Sequence, residues 1–123
     1  MTTPRDDADD VDSFIPLPTA VFHILVALAD RERHGYSIMQ DVTARTGGKV
    51  RLSAGTLYSA IRRMLEQGLI EEMRTSPDPA SDDDRRRYYR LTRLGRDVAL
   101  AEARRLTDML SQARTTGLIP RKL

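Results

Sequence analysis

The chain has no cysteine and no tryptophan, and only two histidines among its 123 residues. Without cysteine, neither a disulfide framework nor a thiolate metal site can form, and nothing points to an oxidising compartment. His23 and His34 have no carboxylate at metal-ligand spacing, so no metal or other cofactor is expected. His23, inside an apolar run, reads as a packed core residue. No apolar run approaches the ~20 residues that span a bilayer. The N-terminus also lacks the basic-then-apolar order of a signal peptide, so a cytoplasmic protein without membrane partners is expected. Glycine is sparse where phosphate chemistry would need it: Gly47-Gly48 and Gly55 make neither a P-loop nor a dinucleotide fingerprint. The serines have no arguable base, and the aspartate clusters at 6-7 and 82–84 fall in expected loops, where a raised pKa is hard to create. An enzyme is not expected.

The net charge of +2 conceals an asymmetry. Residues 1–13 hold Arg5 against five aspartates, a net −4, so residues 14–123 carry +6. A basic folded part favours a polyanionic partner. The length allows one domain, with expected boundaries as follows. Residues 1–15 form a disordered acidic tail and 16–92 a helical domain with two strands. Residues 93–116 form a C-terminal helix and 117–123 a loose tail. The tail at 1–15 reads either as a solubilising segment or as an intramolecular competitor for the basic face.

Along the chain, Pro16 and Pro18 close the tail, and Thr19 is placed to cap Thr19–Asp30, a segment apolar nearly all round and so expected to be buried. A polar link over 31–35 leads to a helix at about 36–46, with Ile38, Met39 and Val42 inward and Gly47-Gly48 ending it. Ser53 then suits the N-cap of a helix over 53–67. Leu57, Ala60, Ile61, Met64 and Leu65 share its inner face. Gly55, Thr56, Ser59, Arg62 and Arg63 lie on or beside the other face, with Tyr58 on the flank. Small residues, hydroxyls and arginines suit a helix lying in a DNA major groove. Taken alone, the helix fits DNA and plain solvent equally. Tyr58 can pack on the neighbouring helix or bond a phosphate.

Gly68 ends that helix. Strands at 69–74 and 87–91 then flank a polar loop, as a winged helix requires. Aspartates 78 and 82–84 precede Arg85, Arg86 and Arg87 in the wing of 75–87. These charges either keep a loop solvated or bring arginine to phosphate or the minor groove. Thr92 caps a final helix whose stripe of Leu94, Val98, Ala101, Leu106, Met109, Leu110 and Ala113 is too long for so small a domain to cover. A homodimer through this helix is the expectation. The fold class is mainly α (α+β): a winged helix-turn-helix with a two-stranded wing and a C-terminal dimerisation helix.

Three motifs resemble the PadR family of transcriptional regulators: HGYSI (34–38), GTLYSAIRRMLEQGLI (55–70) and RRYYRLTRLGR (86–96). Together they cover roughly residues 20–115, and the single C-terminal helix is similar to the family's compact branch. The resemblance implies a dimeric repressor on a palindromic double-stranded DNA operator. Ser53, Gly55, Thr56, Tyr58, Ser59, Arg62 and Arg63 would face DNA, with Arg85, Arg86 and Arg87 in the wing or at its base. It further implies that a small-molecule effector can act near the dimer interface. Ala54 and Ser59 stand where relatives often have proline, and the interface tryptophan of some drug-binding relatives is missing. Two other readings stay open: a winged helix that binds protein rather than DNA, and a ligand sensor with a pocket between the first and last long helices.

Overall fold

The computed structural model describes residues 7–73 and 87–120. The elements are α1 (Asp7–Asp12), α2 (Thr19–Asp30), β1 (Arg33–His34), α3 (Gly35–Arg45), α4 (Ala54–Glu66), β2 (Ile70–Met73), β3 (Tyr88–Leu91) and α5 (Arg93–Thr115). Helix α2 is the hub, touching α3, α4, α5 and β3. Its Ile24, Leu25, Ala27 and Leu28 are buried, which explains why its sequence carries so little polar face. Ile38 and Val42 of α3 and Leu57, Ile61 and Met64 of α4 join them, with Leu69, Ile70, Tyr89 and Val98 closing the core. Each fully buried Leu or Ile contributes roughly 1.5–3 kcal/mol. His23, within the same helix, is half-buried rather than central.

Several expectations need correcting. Residues 7–12, expected to be disordered, form a helix that packs against α5, with Val11 buried and Phe14, Ile15 and Leu17 packed on the core. A handful of apolar anchors among the aspartates is enough to hold the segment down. Thr19 is the first helical residue, not the cap; Pro18 takes the cap position and no side chain caps α2. The 31–35 link contains a strand, β1, so the sheet has three antiparallel strands in the order β1-β3-β2. Its register pairs Arg33 with Tyr89 and His34 with Tyr88 on one side of β3, and Ile70 with Leu91 through Met73 with Tyr88 on the other. The wing residues 75–86, including Arg85 and Arg86, and the end of the chain at 121–123 lie outside the described residues.

Arg33 also departs from its expected place in a solvated link, because it is buried. Its Nε donates to the Ala27 carbonyl at 3.0 Å and one terminal nitrogen donates to Ser37 Oγ at 3.0 Å. The other reaches Asp30 at 2.9 Å and Asp41 at 3.0 Å. Arg45 completes the group, at 2.6 Å from Asp41 and 3.3 Å from Asp30. One planar guanidinium thus ties the end of α2, the start of α3 and its middle into one unit. Asp41, through its hydrogen bond and its charge, raises the Arg45 pKa further above its ordinary value.

A second buried charge fixes the other end of the molecule. The Glu102 carboxylate accepts from Arg105 Nε at 2.5 Å and from the Leu17 backbone N–H at 2.9 Å. It ties the segment before α2 onto α5. The Arg105 hydrogen bond lowers the Glu102 pKa, helped by the Leu17 N–H and opposed by burial.

Candidate nucleic-acid interface

Helix α4 is built as its residues predict. Ser53 Oγ accepts from the Thr56 N–H at 3.1 Å and so caps the first turn. At the other end Gly68 sits at φ 76°, the left-handed conformation glycine adopts without strain. Leu69 N–H closes back on the Met64 carbonyl at 3.0 Å. The helix is then clamped to α5. Thr92 N–H donates to the Leu69 carbonyl at 3.1 Å, and Thr92 Oγ1 donates to the Gly68 carbonyl at 2.5 Å while capping α5. Gly95 makes the approach possible, since a Cβ there would lie 1.9 Å from the Leu69 oxygen. The helix that presents the candidate site and the long helix expected to dimerise are therefore fixed end to end.

The structure brings Ser53, Gly55, Thr56, Tyr58, Ser59, Arg62 and Arg63 onto one exposed side of α4. Their situations differ. Ser53 is committed to capping and also donates to Thr56 Oγ1 at 3.0 Å, so part of its bonding capacity is used. A Cβ added at Gly55 would meet nothing within 4 Å, and the residue has no positive φ. No packing requires glycine there, although it costs roughly 0.5–1 kcal/mol relative to alanine inside a helix. Among the described residues, Arg62 and Arg63 make no ion pair, unlike Arg31, Arg33, Arg45, Arg87, Arg90 and Arg105.

Tyr58, left open between packing and phosphate bonding, does pack. Its hydroxyl lies over Gly35, so close that a Cβ at Gly35 would fall 2.5 Å from it. Half of the side chain is still exposed, at 49%. Arg87 stands at the base of the wing with its side chain 76% exposed, its Nε 3.4 Å from Glu72. Arg90 pairs with Glu71 at 2.6 Å across the same two strands.

The apolar stripe of α5 divides in two. Val98 is fully buried in the chain's own core and drops out of any dimer surface, while Leu94 and Ala101 are half-buried against that core. Leu106, Met109 and Leu110 remain exposed, Ala113 is half-buried, and Leu100, which periodicity alone did not single out, joins the exposed set. Beside Leu100, a cleft of about 190 Å³ between α2 and α5 is lined by Phe22, Val26 and Ala99 among others.

Two site residues were not foreseen. Tyr36, 55% exposed, and Tyr89, 4% exposed, line a pocket of about 250 Å³ with His34, Gly35, Tyr58 and Arg87. Burial, then the Glu72 charge, raises the Tyr89 pKa against the opposing pull of Arg87. The phenol therefore stays protonated and able to donate. His34 caps α3 by accepting from the Ser37 N–H at 3.1 Å and meets Tyr88 edge to face at 5.2 Å.

Among the described residues no group of side chains could hold a metal, and no helix is long and apolar enough to cross a membrane.

Comparison with known proteins identifies the family and the fold. An uncharacterized protein of Lysinibacillus sphaericus is 33% identical over 73 residues, which make up 59% of this chain and 64% of that protein. The transcriptional regulator Rv3488 of Mycobacterium tuberculosis is 39% identical over 90 residues, 73% of this chain and 77% of that one. In fold, the chain is similar to a PadR family transcription regulator from Clostridium difficile, with a TM-score of 0.67 at 24% identity, covering 80% of this chain and 98% of the other. Residues 24–101 match the PadR-like family as a whole. The chain thus belongs to the PadR-like family of transcriptional regulators, proteins that act on transcription rather than as enzymes.

Proposed function

We propose that the protein is a homodimeric repressor that reads a palindromic DNA operator with α4. The observation that carries this reading is the exposed side of that helix. Arg62 and Arg63 stand without an ion-pair partner among the described residues, beside Thr56 and Ser59, and Gly55 leaves space that no internal packing needs. Arginine bidentate to guanine and hydroxyls to either base or phosphate are the contacts such a surface can make. The wing of 75–87 then meets the backbone or minor groove, with Arg87 at its base. The exposed Leu106, Met109 and Leu110, on the same helix as Leu100 and the cleft between α2 and α5, supply the second subunit's seat. Two copies of α4 related by that dimer axis would enter successive major grooves about one helical turn (~34 Å) apart.

The test is selection of bound fragments from random DNA, followed by a mobility-shift assay at physiological salt. A dimer that prefers the selected duplex over random sequence by tenfold or more supports the reading. Equal binding to both refutes it.

The cleft between α2 and α5 favours a second reading, a small apolar effector that regulates the dimer. Thermal-shift screening against small aromatics tests it, and no stabilisation by any of them would count against it.

A further inference from the structure

The pocket beneath Tyr58 is lined by a phenol whose hydroxyl is open to it. Tyr89 is almost wholly buried, yet among the described residues its hydroxyl makes no hydrogen bond. No buried side-chain polar atom is left unsatisfied there either, so this hydroxyl opens into the pocket that it lines. A hydroxyl open to a pocket can donate to an acceptor that enters it. Around it converge the exposed Tyr36, the Tyr58 hydroxyl, the first turn of α3 at Gly35, and Arg87. All are hydrogen-bond donors, and Arg87 adds a full positive charge. Arg87 Nε lies 3.4 Å from Glu72, and its side chain is 76% exposed and so accessible to a second acceptor.

We propose that this pocket seats one DNA backbone phosphate, bound by the hydroxyls of Tyr36, Tyr58 and Tyr89 and by the Arg87 guanidinium. The proposal rests on the DNA reading above and names a contact outside the recognition surface of α4. With α4 in a major groove and the wing against the neighbouring backbone or minor groove, the strand dividing the grooves passes between α4 and β3. The pocket lies on that line, walled by Tyr58 of α4 on one side and Tyr89 of β3 on the other. The nearby Glu72 carboxylate disfavours a small free anion. A phosphate tethered in a duplex, held elsewhere by α4 and the wing, can overcome that repulsion. Such a contact carries no sequence information and would fix register instead.

The experiment compares wild type with Tyr89→Phe, full-length, on a selected duplex, on random duplex, and on a series with one methylphosphonate at each backbone position. Removing one hydroxyl that donates to a charged oxygen should weaken binding about tenfold or more. The loss should be alike for selected and random DNA. In wild type, one methylphosphonate position should be costly, and that cost should fall below twofold in Tyr89→Phe. If Tyr89→Phe melts well below wild type, Tyr36→Phe at its exposed position provides the same comparison. Wild-type affinity in both variants overturns the proposal while leaving the DNA reading intact, as does an undiminished methylphosphonate penalty. A wild-type protein that binds no duplex overturns both.

Discussion

Replacing Arg33 tests the claim that a single buried guanidinium holds the helix-turn-helix together. Arg33→Ala removes donors from the Ala27 carbonyl, Ser37, Asp30 and Asp41, at distances between 2.9 and 3.0 Å. Breaking a buried ion pair by deleting one partner commonly costs about 3–5 kcal/mol, because the remaining charge is left uncompensated. Here the cost is smaller, since Asp41 keeps Arg45 at 2.6 Å and Asp30 is partly exposed and keeps Arg45 at 3.3 Å. Losing the buried bond to the Ala27 carbonyl acts in the other direction. The expected destabilisation is about 2–4 kcal/mol. At roughly 4 °C per kcal/mol, the melting temperature falls by about 8–16 °C. Arg33→Lys, which keeps the charge but loses the fork, should fall between the two. Urea unfolding followed by circular dichroism measures the difference. A double-mutant cycle with Asp41→Asn should show coupling, with the Arg33→Ala cost reduced in the Asn background. A loss below 1 kcal/mol, or purely additive effects, would refute the reasoning.

Gly95→Ala places a methyl 1.9 Å from a backbone oxygen, so the turn after α4 or the start of α5 must move; the expected cost is about 1–3 kcal/mol by thermal unfolding. The Glu102 carboxylate, whose pKa is lowered by Arg105, contributes stability that is present above its unfolded value near pH 4.5 and lost as pH falls through the lower folded value. In Glu102→Gln, the loss of stability in unfolding series below about pH 4.5 should therefore be shallower than in wild type. Light scattering should give wild type a mass of twice 13.9 kDa, and Leu106→Glu with Leu110→Glu should shift it to the monomer without lowering helix content.

How far the fold can be read without coordinates differs from element to element, for physical reasons. Helix α4 is legible because local rules decide it: a serine cap, a 3.6-residue apolar period and a glycine stop all act within one segment. The same holds for the Thr92 cap of α5. Arg33 and Glu102 are not legible in this way, because their burial depends on how the chain folds around them: α2 and α3 pack together about Arg33, and Leu17, 85 residues away, is brought onto Glu102. An arginine in a polar link looks solvated until the chain folds back around it. Strand β1 is similar: two residues have no detectable period, and only pairing with Tyr88 and Tyr89 makes them a strand. The α5 stripe shows the converse limit. Periodicity finds its apolar face correctly but cannot tell that Val98 faces its own core while Met109 faces outward. In the candidate site, the exposed side of α4 follows from the helix period. The pocket at Tyr36 and Tyr89 does not, because it is assembled from four separate elements, β1, α3, α4 and β3.

In the proposed function, the exposed side of α4 reads base sequence. Fluorescence anisotropy of Arg62→Ala and Arg63→Ala on a selected operator and on random duplex tests it most directly. If either side chain reads a base, its loss costs about 1–3 kcal/mol on the operator and much less on random DNA, so the preference between them narrows. Unchanged operator affinity in both variants, with the dimer intact, would contradict the account.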